Sequence, residues 1–273
     1  MKRLILIPAR SASTRLPDKM LADLGGRPVI EQTYLQFANA NIADKVAVAT
    51  DSEAIAEVIR ALGGQAIMTS ISHESGTLRC AEALQILQAA GENYEFVVNV
   101  QGDEPFVPPL WVDSLFFALA ENINFSIATL MQPIKTLTEL HNPNIVKIIY
   151  ATPQNNNATP QNNNSLTTTF LAKALYFSRA AVPFLRDMPN DIAAYPFQRH
   201  IGIYAFTADT LAAIPNLPAS PLEQAERLEQ LRWLEAGQNI GLLSTPASIN
   251  PHISIDTPDD LEQARQYLAN RQV

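Results

Sequence analysis

The sequence predicts an α/β fold with a doubly wound, mostly parallel sheet. Short apolar runs alternate with segments of helical periodicity through the first half of the chain, which is the pattern of repeated β-α-β units. The apolar runs are nearly continuous, as expected for strands that are covered on both faces. With 273 residues, of which 47% are hydrophobic, the chain is long enough to bury a large core, and we expect one domain over residues 1–273.

In the first half, the apolar runs LILIPA (4–9), VAVAT (46–50), QAIMTS (65–70) and FVVNV (96–100) are the expected strands. Helices are expected from Pro28 to about Ala40, after Ser52, and from Arg79 to Ala90. The second of these has Ile55, Ile59 and Leu62 at helical spacing and ends at a Gly-Gly pair.

The second half is richer in strand patterns, at 126–134, 144–150, 173–180 and 201–206. A capping box with proline in the first turn, beginning at Ser220, predicts a helix to about Ala236. Thr257 opens the last helix in the same way, after a short strand at Ser254 and Ile255. The heptapeptide ATPQNNN occurs twice, at 151–157 and 158–164, and predicts a flexible insertion over 151–165. An asparagine-rich binding segment is the less favoured interpretation.

Composition limits the possible partners and location. The net charge of −8 and the pI near 5.0 argue against broad binding to nucleic acid or to anionic membranes. No apolar stretch is long enough to span a membrane, and the first apolar run is too short for a signal peptide. The single cysteine, Cys80, excludes an intramolecular disulfide and is expected to pack in a helix. We therefore expect a cytoplasmic protein.

Three cations follow the first expected strand within ten residues: Arg10, Arg15 and Lys19. The end of such a strand is where α/β folds bind ligands, and the small residues around Ser13 let backbone N–H groups approach an anion. This composition suits a triphosphate, although the Walker A pattern is absent. An ordinary solvated basic loop is the alternative from charge and position alone.

Carboxylates occupy two other strand ends. Asp103 and Glu104 follow the fourth strand, and Asp256 precedes the last helix. Hard oxygen ligands at such positions could hold Mg²⁺ against phosphates. The alternatives are a Gly-Asp turn for Asp103 and helix capping for Asp256, but Thr257 already occupies the capping position.

These segments together resemble one family, the 3-deoxy-manno-octulosonate cytidylyltransferases or CMP-KDO synthetases. The resemblance spans nearly the whole chain and rests on IPAR (7–10), TRLPDK (14–19), VATD (48–51), SGT (75–77), NVQGDEP (99–105), YFSR (176–179), RHIGIY (199–204), SPLE (220–223), LEQLR (228–232) and DTP (256–258). It implies a Rossmann-like nucleotidyltransferase fold with a smaller β-rich subdomain for sugar binding and dimerisation at about 130–205, hence a homodimer.

The resemblance also implies the reaction: CTP and 3-deoxy-manno-octulosonate (KDO), an acidic eight-carbon sugar, give CMP-KDO and pyrophosphate for lipopolysaccharide biosynthesis. Arg10, Arg15, Lys19 and Asp103 would be the catalytic residues. The implied nucleotide-binding residues are Arg10, Ser13, Arg15, Lys19, Ser75, Gly76, Thr77 and Arg79. Asp103 and Asp256 would bind Mg²⁺.

For the sugar acid, the resemblance implies Gln101, Arg179, Arg186, His200, Tyr204, Glu229 and Gln230. From the residues alone, His200 and Tyr204 share one face of a strand and could equally be a packed core pair. Glu229 and Gln230 could equally be a solvated helix face.

The chain departs from the family pattern at Asp18, Met20 and Leu78, where the family has glycine, proline and an acidic residue. Two further functions stay open. The chain could use a related sugar acid as acceptor, or it could be a non-catalytic nucleotide-binding protein.

Overall fold

The computed structural model describes residues 1–13, 15–151, 172–188, 191–245 and 253–271. The expected insertion therefore lies outside the described residues, apart from Ala151. The strands are β1 Arg3–Ala9, β2 Lys45–Thr50, β3 Gln65–Met68, β4 Phe96–Asn99, β5 Ile127–Pro133, β6 Lys147–Ala151, β7 Ala172–Ser178, β8 Gln198–Thr207 and β9 Ile240–Ser244. The helices are α1 Val29–Ala38, α2 Glu53–Ala61, α3 Gly76–Ala89, α4 Pro109–Glu121, α5 Leu137–His141, α6 Ala208–Ala213, α7 Pro221–Glu226, α8 Glu229–Glu235 and α9 Pro258–Arg271.

The chain divides into two compact units, and the first consists of residues 1–113 and 250–273. Its strands run in the order β3-β2-β1-β4, and all of these pairs are parallel. Leu4 in β1 pairs with Lys45 on one side and with Val97 on the other. The mixed α/β class is thus confirmed, and the parallel sheet is found in this unit.

Helix α9 returns from the end of the chain to the core of the first unit. Leu261 and Ala264 on α9 pack with Leu24, Val29 and Phe106. The N–H of Ile255 donates to the backbone carbonyl of Asp103 over 3.0 Å. The expected strand at Ser254 and Ile255 is absent from the described residues there, but this hydrogen bond still brings the start of α9 to the end of β4.

The second unit covers residues 114–249 and orders its strands β8-β5-β9-β7-β6, with a further pairing between β6 and β8. Here β5 and β9 are parallel, whereas the other pairs are antiparallel. The prediction of a mostly parallel sheet therefore holds for the first unit and is wrong for the second. The expected subdomain at 130–205 falls inside this second unit, and its role in dimerisation stays a prediction.

Two helices differ in extent from the helices that the sequence predicted. The helix predicted from Ser220 to Ala236 is broken, because Arg227 adopts a left-handed backbone conformation with φ 54° between α7 and α8. Helix α3 begins at Gly76, three residues before the expected start, since the Ser75 side chain caps it by accepting from the N–H of Leu78. Ile55 and Ile59 of α2 are buried as predicted, but Leu62 is exposed.

Cys80 is fully buried in α3, as expected. Among the residues that the structure describes, none of the helices is long and apolar enough to cross a membrane.

Candidate active site

A cavity of about 180 Å³ lies in the first unit, at the carboxyl ends of β1 and β4 and beside the first turn of α3. Its lining combines backbone from a strand end with cations and carboxylates. The lining residues are Pro8, Ala9, Arg10, Lys19, Met20, His73, Glu74, Ser75, Gly76, Arg79, Gln101, Asp103 and Asp256. This is the edge of a parallel sheet at which α/β folds bind ligands.

The N-terminus of α3 approaches this cavity closely because Gly76 has no side chain. A Cβ at Gly76 would lie 3.0 Å from the Cγ of Pro8 and 3.1 Å from Oε1 of Gln101. The free N–H groups of a helix N-terminus attract anions, so the backbone of this turn can contribute to phosphate or carbonyl recognition. The Ser75 side chain caps this helix, and Thr77 is fully buried.

The three cations of the loop after β1 differ in their surroundings. Arg10 is exposed at the cavity wall, and the Arg15 side chain is 65% exposed while its Nη2 lies 2.9 Å from Oδ1 of Asp256. Lys19 is buried and begins a short 3-10 turn after Asp18. Asp18 has φ 52°, a left-handed conformation that aspartate tolerates better than most residues, which explains how it stands where the family pattern has glycine.

Lys19 joins the two carboxylates that the sequence places at separate strand ends. Its Nζ donates to Oδ2 of Asp103 and, over 2.9 Å, to Oδ1 of Asp256. Thr257 caps α9 by accepting from the N–H of Asp260 over 3.2 Å, so Asp256 does not serve as the cap. The interpretation that Thr257 leaves Asp256 available for another contact is confirmed.

The charges of this group depend on burial and on one another. Burial acts to lower the pKa of the Lys19 ammonium, but Asp103 and Asp256 outweigh it and raise that pKa. Burial raises the pKa of the Asp103 carboxyl despite the opposing effect of Lys19. Burial acts in the same direction on Asp256, yet the cations Lys19 and Arg15 together lower its pKa. Lys19 is consequently a firmly charged ammonium at neutral pH.

The donor set fits Mg²⁺. Asp103 and Asp256 both contact a single atom, Lys19 Nζ, so the two carboxylates are close enough to share one cation. Within the described residues there is no group of three or more His, Cys, Asp or Glu side chains that could hold a metal. Mg²⁺ is commonly bound by one or two carboxylates together with substrate phosphates and water, and that is the set these residues can complete.

Arg79 lies in a buried network at the cavity wall. Its Nη2 lies 2.7 Å from Oδ2 of Asp51, and its Nη1 donates to Oγ1 of Thr69 over 2.6 Å. Asp51 also accepts, at Oδ1, the N–H of Ser11 over 2.9 Å. One carboxylate thus connects the end of β2 and helix α3 to the loop after β1.

The second unit contains the other polar cluster that the sequence analysis selected. In β8, the rings of His200 and Tyr204 have centroids 5.2 Å apart, and Trp233 packs edge-on against Tyr204 at 4.9 Å. The Tyr204 hydroxyl is buried and, in the described part of the chain, has no hydrogen-bond partner. Burial, with a contribution from Glu229, raises the pKa of this phenol well above its ordinary value.

The remaining sugar-binding candidates of this unit are placed differently. Arg179 donates to three backbone carbonyls, from Nε to Glu226 over 2.7 Å and from its Nη atoms to Pro143 and Arg227. Arg186 is exposed. Gln230 is buried rather than solvated, and Glu229 is half-buried.

The comparison with known proteins decides the family. A family model described as cytidylyltransferase matches residues 4–240. The 3-deoxy-manno-octulosonate cytidylyltransferase of Parabacteroides distasonis is 42% identical over 277 residues, which cover 99% of this chain and all of the relative. That of Geobacter sulfurreducens is 39% identical over 270 residues, covering 96% of this chain and 98% of the relative. The chain belongs to the 3-deoxy-manno-octulosonate cytidylyltransferase family.

One solved structure agrees with this assignment, and a more distant one shows the same fold. A structure of CMP:2-keto-3-deoxy-manno-octonic acid synthetase complexed with CTP superposes with a TM-score of 0.84 at 35% identity, over 99% of this chain and all of that chain. The 4-diphosphocytidyl-2C-methyl-D-erythritol synthase of Anaerococcus prevotii has a TM-score of 0.60 at 15% identity, over 98% and 99% of the two chains, and shows the fold alone.

In this cytidylyltransferase, eight of the eleven predicted residues of the first unit line one cavity, including Gln101, which was expected to contact the sugar; Ser13, Arg15 and Thr77 are not in the lining. Ser13 is half-buried in the same loop, and Thr77 lies in the adjacent turn of α3. Of the candidates in the second unit, His200 and Tyr204 are in contact. The ligand roles of all these residues stay predictions.

Sequence reasoning missed Asp51 and Thr129. Asp51 directly follows β2, and Asp103 comes shortly after β4, so the strand-end argument applied to Asp103 was also available for Asp51. Thr129 in β5 is fully buried and lies 3.0 Å from Nε2 of His200, a contact between residues 71 apart that no local pattern indicates.

Proposed function

We propose that the chain transfers CMP from CTP to the anomeric hydroxyl of KDO, producing CMP-KDO and pyrophosphate. The observation that carries the proposal is the convergence of Asp103 and Asp256 on Lys19 at the wall of a cavity bordered by Arg10. The family membership of the chain supports the choice of nucleotide and sugar.

In the proposed reaction, the anomeric oxygen of the sugar forms a bond to the α-phosphorus of CTP. The bond between the α-phosphorus and the bridging oxygen breaks, pyrophosphate leaves, and the hydroxyl proton passes to solvent. Little covalent chemistry falls to the protein in such a transfer, so positioning and charge stabilisation account for most of the catalysis.

The cations would bind the triphosphate and the leaving pyrophosphate. Arg10 and Arg15 have exposed guanidinium groups that can form paired hydrogen bonds with phosphate oxygens, whereas Lys19 is a buried point charge. Arg15 Nη2 and Lys19 Nζ both contact Oδ1 of Asp256, so these two cations lie close together.

We assign Asp103 and Asp256 as the residues that would hold Mg²⁺. The ion would supply a Lewis acid that polarises phosphate oxygens and neutralises developing charge. Lys19 keeps the two carboxylates converged, and its position in contact with both makes it the residue that sets their spacing.

For the acceptor, His200, Tyr204 and Gln230 are the best placed of the predicted residues within the second unit. His200 and Tyr204 are in ring contact, and all three side chains are buried or half-buried. Glu229, Arg179 and Arg186 remain in the proposal as further contacts to the sugar acid, as does Gln101 from the first unit. A cytoplasmic homodimer that supplies lipopolysaccharide biosynthesis completes the proposal, and light scattering of the purified chain would test the dimer.

Pyrophosphate release in the presence of Mg²⁺ and KDO tests the reaction, comparing CTP with UTP, ATP and GTP and identifying CMP-KDO by mass spectrometry. Turnover is expected with CTP, and Asp103→Asn should abolish it. Asp209→Asn, at an exposed aspartate at the start of α6, serves as the matched control and should retain turnover.

Folded protein that binds CTP but makes no product with KDO would contradict the proposal. Product with another sugar acid would then indicate a different acceptor, and no product with any acid would indicate a nucleotide-binding protein without catalysis.

A further inference from the structure

Strand β8 contains a bulge between His200 and Tyr204, whose rings are in contact. Thr129 of β5 pairs with Tyr204, but the next residue, Leu130, pairs with Ile201, so Gly202 and Ile203 are additional on β8. In a regular strand, residues four apart are separated by roughly 13 Å, at about 3.3 Å per residue. The 5.2 Å between the His200 and Tyr204 rings is therefore a product of the bulge.

Thr129 lies opposite this bulge and its hydroxyl has three polar neighbours. The Oγ1 atom is 2.7 Å from the carbonyl oxygen of Ile203, 3.1 Å from that of Ile201, and 3.0 Å from Nε2 of His200. The residue is fully buried, so water does not compete for these contacts. A side chain of the neighbouring strand thus contacts two carbonyl groups of the bulged segment.

The three contacts fix where the protons are. A hydroxyl has one proton to donate, and a backbone carbonyl can only accept. The hydroxyl proton of Thr129 is therefore donated to the carbonyl groups of the bulge. The carbonyl oxygen of Ile203 is closer to Oγ1 than that of Ile201 is. Its oxygen must then accept from His200, which requires a proton on Nε2.

We infer that Thr129 is a positioning residue that holds His200 as the Nε2–H tautomer, so that Nδ1 is the accepting nitrogen of the neutral ring. The inference rests on the proposed function for its purpose: the sugar acid is rich in hydroxyl groups, and His200 would accept a hydrogen bond from one of them at Nδ1. The same contact sets the orientation of the ring, since Nε2 is anchored to β5.

The tautomer can be read directly in the protein without any substrate. Two-bond ¹H–¹⁵N correlation spectra of ¹⁵N-histidine protein would be recorded about two pH units above the ordinary histidine pKa of about 6.5. The chain has four histidines, and the loss of one signal set in His200→Gln assigns the resonance. The Nε2–H pattern is expected for His200, and the Nδ1–H pattern in the unaltered protein would overturn the inference.

Substitutions at Thr129 test whether its hydroxyl holds the His200 tautomer. Thr129→Ser keeps the hydroxyl and should keep the tautomer, whereas Thr129→Val removes the hydroxyl and should give a mixed or reversed tautomer. The KM for KDO is expected to rise about five- to tenfold in Thr129→Val, the size expected for one lost hydrogen bond, with the KM for CTP unchanged. Thr245→Val removes another buried threonine hydroxyl, one that donates to Met131, and serves as the control with neither effect expected.

An unchanged tautomer in folded Thr129→Val, or an altered tautomer with an unchanged KM for KDO, would overturn the assigned role. If Thr129→Val does not fold, the spectrum of the unaltered protein and the Thr129→Ser variant still decide the proton position. Failure of the proposed function would be recognised separately, because the unaltered protein would then not use KDO, whatever its histidine spectrum showed.

Discussion

The carboxylate of Asp51 and the guanidinium of Arg79 form a buried ion pair, with 2.7 Å between Oδ2 and Nη2 and both side chains less than 5% exposed. Arg79 lies at the wall of the candidate nucleotide cavity, and Asp51 also accepts a hydrogen bond from the N–H of Ser11. The ion pair therefore connects the loop that carries the predicted phosphate-binding cations to the helix that carries the predicted nucleotide contacts.

Asp51→Asn should destabilise the protein strongly. The substitution leaves the buried Arg79 charge without its anion, and removal of one partner of such a pair costs about 3–5 kcal/mol. Urea denaturation would measure the free energy of unfolding. Glu53→Gln is the matched control, because Glu53 pairs with Arg60 at the surface and its loss should cost less than about 1 kcal/mol. Equal losses in the two variants would contradict the prediction.

Lys19→Met should make the stability of the protein depend on Mg²⁺. Without Lys19, Asp103 and Asp256 face each other without their shared ammonium group, at a cost of about 3 kcal/mol. Mg²⁺ alone should restore part of this loss, since binding to the folded state stabilises it. The melting temperature with and without Mg²⁺ is the measurement.

Lys45→Met provides the comparison for Mg²⁺. Lys45 pairs with Glu92 in a partly exposed bridge, so its loss should be small and should not respond to the ion. A Lys19→Met variant that is equally indifferent to Mg²⁺ would argue against a metal site at Asp103 and Asp256.

Glu82 should contribute to stability in a pH-dependent manner. Burial acts to raise the pKa of this carboxyl, but the N–H of Ser70 and the side chains of His73 and Arg79 outweigh it and lower the pKa. A carboxyl with a lowered pKa in the folded state stabilises the protein above its unfolded pKa, here 4.5, and this stability is lost as the pH falls through the folded pKa.

Unfolding free energies of Glu82→Gln and of the unaltered protein should thus differ most near neutral pH and converge below pH 4.5. Denaturant titrations across the acid range would measure this difference. His73→Leu, which removes one of the groups that lower the Glu82 pKa, should move the convergence to higher pH. A difference that is constant throughout the acid range would refute the prediction.

Arg179→Ala should lower the free energy of unfolding by about 2 kcal/mol. The guanidinium donates to the carbonyl groups of Pro143, Glu226 and Arg227, and the substitution removes these three hydrogen bonds. Arg186→Ala changes an exposed arginine from the same set of predicted sugar contacts and should alter stability by less than about 0.5 kcal/mol.

Chemical denaturation of both arginine variants would measure these changes, and their KM values for KDO separate a sugar contact from a stabilising role. If Arg179→Ala is as stable as the unaltered protein, the carbonyl contacts do not contribute as expected.

Local patterns in the sequence predicted the strands of the first unit and the helix caps at Ser220 and Thr257, because apolar runs and side-chain caps depend on neighbouring residues. The end of α7 at Arg227 could not be predicted in this way, since an arginine with positive φ has no sequence signal. Strand β9 was missed because its short apolar run follows a helix that was expected to continue nearly to it.

For the candidate site, the strand-end argument correctly selected side chains that meet at one cavity, such as Lys19, Asp103 and Asp256. It could not foresee that Lys19 would join the two carboxylates, because that contact depends on the packing of α9 against Leu24, Val29 and Phe106, which are distant in sequence. The contact of His200 with Tyr204 was expected from strand alternation, whereas its actual cause is the bulge opposite Thr129.

The first unit is completed by residues 250–273, after the 136 residues of the second unit have intervened in the chain. During synthesis on the ribosome, Asp103 and Lys19 emerge long before Asp256, and a nascent chain that has not reached α9 has neither the Ile255 hydrogen bond nor the second carboxylate. Assembly of the proposed metal site is therefore a late event in vectorial folding, so incomplete chains released by truncation would lack it even when the β1 to β4 sheet has formed.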